Sequence, residues 1–265
     1  MAPCLELCLK TSSNDEELVF PESGSVLLDY FNMGSVLPEE EFTLILSEYT
    51  SLEQKISEHI KLKPNAVELF SRRGDARMFL GDFGGARKDY EKMIQLEPLL
   101  EVSHWRLGIT YFYLGLFKKA AHQFEIYHQH DAVDRENGIW RFMSQVQQSG
   151  VVEARQNLIK YKQSDRPPYP WLYDLFKGEI QPPVLFARIH QAKYPKAYHS
   201  RVLFHAYLYV GIYLEMVEGK ITEAEKYLAQ AVNNEYGRTT GTYMWQVARI
   251  HYQQIQKRAL INLPR

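Results

Sequence analysis

The chain has 265 residues, with 31 Lys or Arg against 32 Asp or Glu, for a net charge of −1. At 45% hydrophobic it can bury a full core, as one large domain or two small ones. The balanced charge argues against a nucleic-acid partner, which needs a basic field, and no apolar run approaches the ~18 residues of a membrane span.

The first residues carry no basic stretch followed by an apolar one, so no secretory signal is visible. Asp15, Glu16 and Glu17 argue against a transit peptide. The two cysteines, Cys4 and Cys8, lie too close together to staple a fold, which suits a reducing compartment. Residues 1–25 read as a poorly ordered leader, and residues 26–260 as one helical domain. The expected location is cytoplasm or nucleus, with an organellar lumen left open.

Residues 38–49 and 52–63 have helical period, with Ser51 and Gln54 spaced as a capping box. They read as two short helices forming a degenerate unit, 38–64. A regular unit, 67–100, and a second, 101–134, follow. Gly74 recurs as Gly108, Gly81 as Gly115, Phe83 as Phe117, Ala86 as Ala120 and Tyr90 as Phe124, each 34 residues on. Pro64 and Pro98 keep the same spacing. A glycine inside a helix costs about 1 kcal/mol against alanine, which makes sense where a partner helix crosses closely. Tyr90 and Phe124 should fill the space between paired helices. Gly81 and Gly115 should close the first helix of each pair with a left-handed residue.

Residues 135–192 are irregular. Helices are expected over 135–148 and 151–162, then a break at 164–170, where three prolines forbid helix. Short helices follow over 171–178 and 182–192. Residues 198–218 and 222–234 form a late unit, 198–234, with Thr222 and Glu225 spaced as a capping box. Gly211 lies one residue out of phase. A final helix over 242–260 should cap the stack.

A 34-residue period of Gly, aromatic, Ala, aromatic and Pro resembles the tetratricopeptide repeat. Gly108-Ile109 with Tyr111 and Tyr113, Gly138-Ile139-Trp140, Leu175-Phe176-Lys177-Gly178 and Ala231-Val232-Asn233-Asn234 are similar to the NlpI-type tetratricopeptide proteins, over residues 65–250. The resemblance implies an all-α solenoid of antiparallel helix pairs with an irregular centre. It also implies an adaptor that binds a protein or peptide partner, with a homodimer as one arrangement. The lipoprotein signal of that family is missing.

Catalytic motifs are few. No phosphate-binding loop, dinucleotide fingerprint or nucleophile elbow is present. Gly81-Asp82-Phe83-Gly84-Gly85 reads as a turn. His122 and His128 sit about 240° apart around a helix, so with His130 they read as exposed histidines rather than metal ligands. His199 and His205 read the same way. No cofactor, metal or enzymatic activity is expected. Arg72, Arg73, Arg77, Arg87 and Lys88 make the first unit locally basic, but interspersed acids read it as a solvated face.

First helices line the concave face of such a stack. That places Asp75, Met78 and Phe79 of one unit, and Trp105, Ile109, Phe112 and Tyr113 of the next, as partner-binding candidates. These residues are acidic, apolar or aromatic. They suit an apolar peptide better than a peptide carboxylate, because aromatics dominate interface hot spots. The alternative is that the chain is a structural subunit of a large complex, its aromatics serving permanent interfaces.

Overall fold

The computed structural model describes residues 36–261, with side chains to 258. Among them are thirteen α-helices and one 3-10 helix, with no strand. The proposed leader and both cysteines lie outside the described residues. The described residues belong to one compact unit.

α1 spans Glu39–Leu62 as one continuous helix. This corrects the expected pair in 38–64. Neither Gly nor Pro interrupts the run, and Thr50 does not break it because its hydroxyl donates to the Leu46 carbonyl inside the helix (2.8 Å). Ser51 therefore caps nothing. α1 packs on α2 through Ile56, which is buried.

α2 (Val67–Phe79) and α3 (Phe83–Leu96) form the first regular pair. A Cβ on Gly74 would lie 2.5 Å from Tyr90 Cε1, so this glycine is the point where the two helices meet. Gly81 closes α2 at φ 81°, a conformation that costs other residues far more. The Asp82 side chain then accepts from Gly85 N (2.8 Å) and caps α3. The basic stretch is not a solvated face throughout. Arg73 and Arg77 both pair with Asp89 (2.6 and 3.0 Å), and Arg77 also pairs with Glu53 of α1 (2.8 Å). Asp89 is buried, so these bonds tie three helices together rather than offering a charge to a ligand.

The second pair is α4 (Trp105–Tyr113) and α5 (Phe117–His130). Phe124 Cζ stands 2.7 Å from where a Gly108 Cβ would be, repeating the first contact 34 residues on. Gly115 adopts φ 71°. Tyr90, Phe124, Ala86 and Ala120 are all fully buried, and each such aromatic ring contributes roughly 1.5–3 kcal/mol by burial. The entry to α4 is looser than its counterpart. Pro98–Ser103 is a 3-10 helix, and α4 starts at Trp105 with the His104 ring as its cap, accepting from Leu107 N (3.3 Å).

α6 (Arg135–Ser149) packs on α5. α7 covers only Val151–Gln156, not the expected 151–162. The chain beyond Asn157 is drawn out of helical form over α6 by tertiary bonds. Tyr161 seats on Gly138 and donates to the Asp134 carbonyl (3.0 Å), while Tyr173 donates to the Ile159 carbonyl (2.7 Å). α8 (Tyr169–Lys177) begins after the proline break and ends at left-handed Gly178, and α9 is Pro182–Gln191.

α10 (Lys196–Met216) and α11 (Ile221–Asn233) form the late pair, with Gly211 against Leu228. Lys220, not Thr222, stands at the start of α11, and no side chain caps it. A short α12 (Glu235–Thr240), absent from the sequence reading, is capped by Asn234 accepting from Gly237 N (3.2 Å).

α13 (Tyr243–Ile261) departs most from expectation. A terminal cap would touch only the last pair. α13 packs on α11 and also reaches back to α2. Its residues 244–252 are all buried, so it has no solvent face along that stretch. A helix buried all round belongs to a core.

Candidate functional site

The face lined by the first helices, α2 and α4, is the one on which α13 lies. Tyr243 packs edge-on against Phe79 (5.0 Å) and Trp105 (4.9 Å). Arg249 donates to the Phe79 carbonyl (2.5 Å), and Gln246 to the Tyr49 hydroxyl (3.0 Å). The Tyr113 hydroxyl meets His251 Nδ1 at 3.1 Å. The chain's own last helix therefore fills the middle of the groove expected to hold a partner.

The seven predicted residues divide accordingly. Met78 and Ile109 are fully buried, and the Met78 sulfur accepts from the Thr110 hydroxyl (3.7 Å). Phe79 and Phe112 are also buried, Phe112 edge-on to Trp140 (5.2 Å). These four are core in this arrangement. Asp75 is half-buried and already engaged, accepting from Tyr90 (2.6 Å) and Arg106 (2.8 Å). Burial pushes its carboxyl up, against the opposing pull of Arg106. Trp105 and Tyr113 stay partly exposed.

α13 leaves a cavity on either side. One, of about 210 Å³, includes Trp105, Ile109, Asp134, Glu136, Trp140 and Arg166 in its wall. Here the sequence reading missed a polar cluster. Glu136 Oε1 accepts from the Tyr209 hydroxyl (2.6 Å), and Oε2 from Arg166 (3.1 Å). Trp140 Nε1 donates to Tyr209 (3.0 Å). Burial raises the Glu136 carboxyl, opposed by its hydrogen bonds from Tyr169 and Tyr209. Burial, with the adjacent Glu136 charge, pushes Asp134 up to about 7. His205 is not an exposed histidine. It is buried against Tyr169 (2.9 Å), and burial, with the Arg166 charge, lowers it to about 3. In sequence, Glu136 looks like a first-turn acid complementing a helix dipole, and nothing nearby signals partners up to 73 residues away.

The second cavity, of about 380 Å³, includes Phe112, Tyr113, Glu215, His251 and Arg258 in its wall. His251 Nε2 lies 2.6 Å from Glu215 Oε2, and Arg258 lies 2.6 Å from Oε1. Burial pushes Glu215 up, but His251 and Arg258 outweigh it and hold the carboxyl below its ordinary value.

His122 and His130 are exposed, whereas His128 is partly buried on the Tyr161 ring (5.1 Å). Among the described residues, no group of three or more His, Cys, Asp or Glu is placed to hold a metal ion. No helix among them is long and apolar enough to cross a membrane. The fold and site thus define an all-helical protein of neighbouring helix pairs, repeat-like, with the face of α2 and α4 covered by its last helix. No known family model matches the chain.

Proposed function

We propose that the chain is a non-catalytic tetratricopeptide-like solenoid, similar to the NlpI type, acting as an adaptor for a protein or peptide partner. The carrying observation is the Gly74–Tyr90 contact repeated 34 residues later as Gly108–Phe124. It supports stacked helix pairs that present one inner face. α13 covers the centre of that face, so the partner engages its margin. Trp105 is the anchor: like Tyr113 it lines a cavity and keeps exposed surface, but the Tyr113 hydroxyl is already held by His251.

A second reading, a structural subunit of a larger assembly, is favoured by large apolar side chains left exposed. Leu62 and Leu99 are 80% and 89% exposed. One experiment separates the two. The tagged full-length chain is captured from the cells that make it, beside Trp105→Ala and a Leu62→Ser, Leu99→Ser double variant. A defined partner lost only with Trp105→Ala supports the adaptor. A stoichiometric assembly lost only with the leucine variant supports the subunit. Self-association lost with neither, and no other protein retained, rejects both.

A further inference from the structure

We propose that the extended segment at Lys160–Lys162 takes up an acidic peptide as an added β-strand, seated in the groove that this segment forms with α7 and α8. The groove shares no wall residue with the two cavities beside α13, and the inference does not rest on the adaptor reading.

Residues 158–162 leave α7 with neither helix, turn nor bend. Their burial alternates as a strand's does: Ile159 and Tyr161 are half-buried, while Lys160 and Lys162 are exposed. The main-chain groups of a strand also alternate, between its two edges. The Ile159 carbonyl accepts from the Tyr173 hydroxyl (2.7 Å), and the Gln163 carbonyl from Arg135 (2.7 Å). One edge is thus held by α8 and α6. The other carries the N–H and C=O groups of Lys160 and Lys162. None of these four groups bonds to another among the described residues. The open edge of a strand is a template for an added one.

Charge selects the peptide. The groove, of about 460 Å³, has Arg135, Arg155, Lys160 and Lys177 in its wall against Asp174 and Glu179. Both carboxylates are already engaged, Asp174 by Arg188 (3.0 Å) and Glu179 by Lys177 (3.7 Å). Among the described residues Lys160 has no carboxylate partner, and the Arg135 guanidinium donates only to the carbonyls of Val133 and Gln163. Lys160 and Lys162 lie two residues apart, so they share one side of the strand and meet alternate side chains of whatever pairs with it. Carboxylates at alternate positions of an extended peptide answer both. A nucleic acid brings negative charge but no run of amides and carbonyls, so the open edge favours a peptide.

The test uses the full chain and a labelled, doubly blocked hexapeptide of alternating glutamate and valine, read by fluorescence anisotropy. It should bind saturably and more weakly as salt rises, and its lysine–valine counterpart should not bind. Two further peptides carry N-methyl groups, one on the glutamate amides and one on the valine amides, which block opposite edges of the extended chain without altering charge. One of the two should lose at least tenfold in affinity while the other keeps it. A Lys160→Glu, Lys162→Glu protein should bind the parent peptide at least tenfold more weakly, with its Tm reporting the fold. No saturable binding overturns the proposal, as does an equal effect of the two N-methylated peptides. Unchanged binding by the folded double variant overturns it too, and so does a uridine oligonucleotide that binds more tightly than the peptide. If the double variant does not fold, the N-methylated pair decides alone on the native chain.

Discussion

Gly74→Ala and Gly84→Ala make the same chemical change in consecutive helices, and they should move stability in opposite directions. In an open helical site this change stabilises by about 0.4–1 kcal/mol, chiefly by restricting the unfolded chain. Gly84 is such a site: a Cβ there meets only Asp82 Oδ1, at 3.8 Å. At Gly74 the Cβ would lie 2.5 Å from Tyr90 Cε1 and 2.8 Å from Cδ1. The ring cannot easily retreat, because it is fully buried and its hydroxyl is held by Asp75 at 2.6 Å. Overpacking costs typically 1–3 kcal/mol, and a ring this close and this firmly held puts the site in the upper part of that range, about 2–3 kcal/mol, which outweighs the ~1 kcal/mol of helix preference for alanine. The expected net is a loss of about 1–2 kcal/mol for Gly74→Ala. For a protein of this size that lowers Tm by roughly 2–4 °C, whereas Gly84→Ala should raise it by roughly 1–2 °C. Thermal unfolding followed by circular dichroism measures both. If both variants rise, or Gly74→Ala is neutral, the helices do not meet at that glycine and the account of the repeat fails.

Two further predictions concern pH. His104 is held down to about 4, first by burial and then by the Arg106 charge. Its folded value lies below its unfolded one, so its contribution is present above about pH 6.5 and lost as pH falls towards 4. His104→Asn keeps an N-capping side chain on α4 without a titrating ring. It should flatten the acid loss in urea denaturation across that window, by at most about 1.4 kcal/mol per pH unit. Parallel curves for the two proteins would refute the depressed value. Asp134, pushed up to about 7, has the opposite sign: its contribution is present at low pH and lost as pH rises from about 4 through 7. Asp134→Asn should remove that loss while its side chain still caps α6. A loss of equal size in the variant would show that Asp134 ionises normally.

The legible part of this chain was local. Gly81 and Gly115 mark helix ends because left-handed backbone favours glycine over other residues. Gly74 and Gly108 announce a crossing because a helix tolerates glycine there only for close packing. Three prolines within 164–170 stop a helix wherever they occur. These signals located the helix pairs without any knowledge of what lay across from them. Other features had no local signature. The 39–62 run became one helix because the Ser51 and Gln54 capping signal was too weak to break it. The 157–162 run lost its helix because Tyr161 and Tyr173 found better bonds across α6 than along the chain. The candidate site was the least legible. Its contacts join Tyr113 to His251 across 138 residues and Phe79 to Arg249 across 170. Periodicity shows that a helix has apolar faces, but not which distant surface covers them. The sequence by itself determined the two regular pairs and their crossing points. The tertiary structure decided that the last helix lies on the first ones, because α13 is apolar on more than one side and only the face of α2 and α4 together with α11 buries it.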